Sequence, residues 1–91
     1  MKDMRPEDAL IVVRRPYVTE KTFDLIERQN KICFLVDPKA NKKKIKSAIE
    51  TLYDVKVQSV NTAITVYGKK AFVRLSAESS ASDLASKLGL V

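Results

Sequence analysis

The chain contains no histidine, one cysteine, and only two glycines and three prolines among its 91 residues. Without histidine the most common general base is missing. There is no G-x-G-x-x-G, no phosphate-binding Walker loop, and no pair of carboxylates at a spacing that implies acid–base work. Catalysis is not expected, and neither is a cofactor or a metal site. The lone Cys33 excludes an internal disulfide; it lies in the apolar run "ICFLV" and reads as a buried structural thiol. With 45% apolar residues and so little glycine and proline, the chain is globular rather than disordered. No apolar stretch approaches the roughly 18 residues of a membrane span, so no membrane insertion is expected. The opening "MKDMRPED" does not read as a signal peptide, and the expected setting is intracellular. The length fits one domain, residues 1–91, that buries somewhat over ~60% of its unfolded surface.

What the chain does have is positive charge. Lys and Arg total 17 against 11 Asp and Glu, a net +6. From Lys31 to Arg74 there are ten basic residues and three acids, a balance of +7, which leaves −1 for the two ends together. One region therefore carries the field, and a polyanionic partner or a membrane surface is implied.

Periodicity gives the architecture. "LIVV" (10–13) reads as a short strand closed by Arg14, Arg15 and Pro16. Thr19 is an N-cap that puts Glu20 in a first helical turn, and Asn30 closes that helix in a left-handed conformation. "KICFLV" (31–36) is apolar without alternation, as in a central strand covered on both faces. Asn41 caps a second helix in which Ile45, Ala48, Ile49, Leu52 and Tyr53 fall at i, i+3, i+4, i+7 and i+8. "VKVQSVNTAITVY" (55–67) is a strand whose apolar parity slips, which a bulge or a sharp twist near Gln58-Ser59 reconciles. Gly68 turns it into "KAFVRL" (70–75) as a hairpin. Ser80 and Asp83 match a capping pattern, Gly89 ends that last helix, and Leu90 is placed to fold back on it. The order β-α-β-α-β-β-α predicts an α+β fold, a mostly antiparallel four-stranded sheet with helices packed on it.

The basic region is not placed at random. Lys42, Lys43 and Lys44, with Lys46 one turn on, sit at a helix N-terminus. There the macrodipole disfavours each cation by roughly 0.3–1 kcal/mol. The same terminus presents unpaired N–H groups suited to an anion. Lys69, Lys70 and Arg74 form a second cluster on the hairpin. Phe34, Tyr53 and Phe72 read as core positions, leaving Tyr17 and Tyr67 as the candidates for base stacking. Binding through phosphates and shape on structured RNA fits this better than single-strand stacking.

"RPYVTEKT" (15–22), "VDPKANKKKIKSAIETLYDVKVQSVNT" (36–62), "GKKAFVRL" (68–75) and the closing "ASKLGLV" resemble the L-twenty-three family of universal large-subunit ribosomal proteins, in its archaeal and eukaryotic variant. The likeness runs in order over nearly the whole chain from Arg14. It implies a primary binder of large-subunit rRNA, cytoplasmic and on the ribosome, among neighbouring large-subunit proteins at the rim of the polypeptide exit tunnel. It also implies a share in the docking platform for signal recognition particle, nascent-chain chaperones and the translocation channel. Carried over residue by residue, the RNA-facing positions are Arg14, Arg15, Lys21, Lys39, Asn41, Lys42, Lys43, Lys44, Lys46, Asn61, Thr62, Lys69, Lys70 and Arg74. The acid of "TEK" is Glu20, and Asp24 and Glu27 follow it at spacings of four and three, which makes one exposed factor-docking stripe.

The chain departs from the bacterial branch in having only "TVYGKKA" where that branch carries a long loop, so no tunnel-penetrating extension is expected. The basic N-terminal extension typical of eukaryotic members is also missing, which favours an archaeal-type protein. The competing reading is a module of similar fold that binds RNA or protein off the ribosome.

Overall fold

The computed structural model describes residues 5–66 and 68–89. The elements are α1 (Pro6–Val12), β1 (Val13–Pro16), α2 (Glu20–Gln29), β2 (Lys31–Val36), α3 (Lys42–Tyr53), β3 (Val57–Thr65), β4 (Gly68–Leu75) and α4 (Ala81–Lys87). The four strands form one antiparallel sheet in the order β1-β2-β4-β3. The fold is α+β, and from β1 onward the elements run β-α-β-α-β-β-α as the sequence predicts.

The departure is at the start. Leu10, Ile11 and Val12, expected in a strand, complete α1, and β1 contains Arg14 and Arg15 instead of stopping before them. Pro6 at the first position and Glu7 and Asp8 in the first turn favour helix initiation. Ala9, Val12 and Val13 are buried while Leu10 and Ile11 are exposed, the phase of a helix and not of a strand. α1 packs against α3.

Elsewhere the local signals match. Thr19 Oγ1 accepts from the Thr22 amide at 3.3 Å, while Thr22 Oγ1 accepts from the Thr19 amide at 2.6 Å, a reciprocal cap on α2. Asn41 Oδ1 accepts from the Lys44 amide at 2.8 Å and Ser80 Oγ from the Asp83 amide at 3.2 Å. Asn30 is left-handed with φ 55°. Its side chain does more than end a helix. Nδ2 donates to the carbonyls of Leu75, Ser76 and Ser79 at 3.1, 3.2 and 3.0 Å, and Oδ1 accepts from the Ala81 amide at 2.7 Å. One amide therefore fastens the β4–α4 connection to the end of α2.

The core lies on one face of the sheet. Val13, Ile32, Phe34, Val36, Val57, Val60, Ala71, Val73 and Leu75 meet Ile45, Ala48 and Ile49 of α3 there, and Tyr53 stacks on Phe34 at 5.6 Å between ring centroids. β2 is buried on both sides, since Cys33 and Leu35 point the other way and are buried too. Burial pushes the Cys33 thiol up to about 11, partly offset by the charge of Lys70, so the thiol is unreactive as expected. The register of β3 against β4 shifts between Val57 and Ser59, where the parity slip asked for a bulge. Thr65 pairs with Gly68, whose φ of 117° suits glycine. The expected roles of Tyr67 and Leu90 lie outside the described residues.

Candidate nucleic-acid interface

The sheet register sorts the candidate cations into two surfaces. The first surrounds the N-terminus of α3. Lys42, Lys43, Lys44 and Lys46 are exposed, as are Lys39 and Asn41 before them. None of these lysines forms an ion pair among the described residues, where only Arg5–Glu7, Arg5–Asp8 and Lys56–Glu78 do so. Lys69 joins this surface from the hairpin: its Nζ donates to the Ala40 carbonyl at 2.7 Å. That bond ties β4 to the loop that enters α3 and brings a further charge to the same place. A groove beside it, lined by Ile11, Lys39, Lys43, Lys44, Asp8 and Asp37, separates α3 from α1.

The second surface is the sheet face opposite the core. Directly paired residues in an antiparallel sheet share a face. Lys31 pairs with Arg74, Cys33 with Phe72, and Leu35 with both Lys70 and Arg15. From β3, Ser59, Asn61 and Ala63 pair with Arg74, Phe72 and Lys70. This face thus carries Arg15, Lys31, Lys70 and Arg74 and no acid. Lys70 is half-buried, its Nζ 3.9 Å from the centre of the Tyr17 ring. Lys21, in the first turn of α2, lines a cleft with Tyr17, Lys70 and Phe72.

Four placements differ from the picture given by sequence order. Lys69 and Lys70 are neighbours in the chain but serve opposite faces, and so do Asn61 and Thr62, because strand side chains alternate. Arg14 stands in the irregular pairing of β1 with β2 and is exposed. Phe72 is not a core residue: Ala71 and Val73 on either side are fully buried in the core cluster, which turns Phe72 to the cationic face, where it is half-buried. Lys31, counted in the charge balance but not singled out, belongs to that same face.

Of the acids of α2, Glu20 lies on the rim of the cleft beside Phe72, and Asp24 and Glu27 are not among the residues that line either groove. Glu20, Asp24 and Glu27 are exposed and make no ion pair among the described residues. The described residues contain no group of three or more His, Cys, Asp or Glu able to hold a metal, and no helix long and apolar enough to cross a membrane.

Comparison with known proteins places this arrangement. Residues 11–82 match the family model described as Ribosomal protein L23. A large ribosomal subunit protein uL23 of Pyrobaculum aerophilum is 51% identical over 81 residues, covering 88% of this chain and 100% of that protein. The protein of the same description from Methanococcus aeolicus is 44% identical over 84 residues, covering 91% and 98%. That of Trypanosoma brucei brucei is 49% identical over 85 residues, covering 92% of this chain and 52% of its own length. With a family match over most of its length and near full-length relatives of this identity, the chain belongs to the ribosomal protein L23 family.

Proposed function

We propose that this chain is a structural constituent of the large ribosomal subunit, without enzymatic activity, that binds large-subunit rRNA through the two cationic surfaces. Lys39, Asn41, Lys42, Lys43, Lys44, Lys46 and Lys69 hold phosphates at the N-terminus of α3. Arg15, Lys21, Asn61, Lys70 and Arg74 act on the face opposite the core, with Arg14 at its margin, and Thr62 acts from the other side of β3. The observation that carries the reading is the N-terminus of α3, where three consecutive first-turn lysines oppose the helix dipole without a carboxylate to pair with. A bound phosphate reverses that conflict, because the free N–H groups, the dipole and the lysines then all act on one anion.

The seat of the protein is the rim of the polypeptide exit tunnel, in the cytoplasm, beside other large-subunit proteins. Glu20, Asp24 and Glu27 form part of the docking surface for signal recognition particle, nascent-chain chaperones and the translocation channel. Their support is exposure along one helical stripe and a sign opposite to the RNA-binding surfaces, which suits a basic incoming factor. Gradient sedimentation of a cell extract tests the whole reading. The protein is expected with the large subunit in moderate salt; recovery only in light fractions refutes it in favour of a module acting off the ribosome.

A further inference from the structure

Phe72 is an aromatic ring on a face where every charged side chain contributed by the strands is a cation. We propose that the cleft over Phe72 is a stacking pocket for one unpaired base of an RNA strand. The inference rests on the rRNA-binding reading above and deepens it, since that reading invoked phosphates and shape alone.

The geometry is built for a base rather than a phosphate at the centre. The cleft measures about 650 Å³, within the range of small-molecule sites, and Tyr17, Leu25 and Phe72 supply its apolar lining. Lys21 and Lys70 flank it, with Glu20 also on the rim. The carboxylate of Glu20 repels phosphate from its end of the cleft, so the strand's backbone runs on the side of Lys70 and Arg74. Lys70 already covers the Tyr17 ring, which leaves Phe72 as the open aromatic surface. Asn61 is directly opposite Phe72 on β3, exposed, and its side chain makes no hydrogen bond among the described residues. A carboxamide there has a donor and an acceptor for the edge of a stacked base. Phe72 stands on an inner strand, between β2 and β3, so the platform is held rigid before the ligand arrives.

Charge decides between RNA and a peptide. Lys21 and Lys70 line the cleft and Arg15, Lys31 and Arg74 share the sheet face with the ring, while Glu20 is the one acid among the described residues that line the cleft. A single strand supplies both the anions and the π-face.

The test uses the full chain, with a uridine ten-mer, inorganic polyphosphate and an oligoglutamate peptide as ligands. Phe72→Leu keeps the apolar contact but removes the π-face. It is expected to weaken the ten-mer by about fivefold to a hundredfold, with polyphosphate affinity unchanged. Phe72→Trp introduces the sole indole of the protein, whose fluorescence should be quenched by saturating ten-mer and not by polyphosphate. The second variant decides the matter if the first does not fold. Equal ten-mer affinity in a folded Phe72→Leu, or an unquenched indole at saturation, overturns the pocket while salt-dependent RNA binding survives. Parallel losses for oligoglutamate overturn it in favour of a peptide site. Failure of both ten-mer and polyphosphate to bind wild type overturns the RNA reading itself, and this inference with it.

Discussion

Replacing Lys42, Lys43, Lys44 and Lys46 together with glutamine separates a phosphate-binding surface from a merely solvated one. Glutamine has nearly the helix propensity of lysine, and the Asn41 cap on the Lys44 amide does not depend on any of the four side chains. The fold should therefore survive. If each lysine neutralises one phosphate, the log–log slope of affinity against salt should become shallower by about 3, from 0.7–0.9 per contact. Between ~50 and ~200 mM salt that difference amounts to roughly 60-fold less loss of affinity for the variant than for wild type. Stability should move the other way. Three first-turn cations each oppose the dipole, and after screening their removal is worth about 1 kcal/mol, or ~4–8 °C in Tm. Filter binding to a large-subunit rRNA fragment across a salt series gives the slope, and circular dichroism melting gives Tm. An unchanged slope refutes the reasoning, and so does a shallower slope accompanied by a lower Tm.

Asn30→Gly keeps the left-handed backbone but strips four hydrogen bonds, for an expected cost of about 2 kcal/mol; Asn30→Ala adds about 1 kcal/mol of backbone strain, and urea melts of both rank them. The Asn61 side chain makes no hydrogen bond within the described fold, so Asn61→Ala should weaken rRNA binding by about 1 kcal/mol or more while Tm barely moves. A matching loss of Tm assigns Asn61 to the fold instead. Glu20→Lys, alone or with Asp24→Lys, should leave subunit assembly intact and reduce co-sedimentation of an exit-site factor with the ribosome, most at low salt. Equal recruitment at low and moderate salt returns Glu20 to its place as a favourable first-turn acid.

What was legible in the sequence was local. Thr19, Asn41 and Ser80 cap their helices through bonds to an amide three residues on, a relation contained in a few letters. The bulge near Gln58 showed as a slip in apolar parity, because each strand residue must choose a face. What was hidden depends on partners far along the chain. "LIVV" is apolar in every position; Pro6, Glu7 and Asp8 start a helix before it, and the burial of Ala9 and Val12, with α1 packed on α3, carries that helix through Val12. The reach of Asn30 to Leu75, Ser76, Ser79 and Ala81 spans 45 to 51 residues. Lys69 cannot be seen to hold Ala40 without the hairpin's placement beside α3. Phe72 had a usable signal: Ala71, Val73 and Leu75 fill one face of "KAFVRL", so Phe72 falls with Lys70 and Arg74. Its hydrophobicity outweighed its position.

The helices of this chain provide their own control for the lysines of α3. Glu7 and Asp8 open α1, Glu20 is in the first turn of α2, and Asp83 is in that of α4, all of the sign the dipole favours. The last turns of α2 and α4 carry Arg28 and Lys87, again the favoured sign. α3 alone has no acid in its first turn, where it carries three lysines instead, and like α1 it has no base in its last. A positive charge needed only for solubility had a stabilising position available at the C-terminal end of the same helix and did not take it. Lys69 is held from another strand against the Ala40 carbonyl, next to the same terminus, although an unpaired lysine gains more hydration in open solvent. A first-turn rule that holds at three helices and fails at the fourth points, on the proposed reading, to a partner rather than to the fold. On that reading, the missing acid at α3 is a phosphate of the rRNA, whose binding would satisfy the N–H groups of the first turn, the dipole and the lysines together.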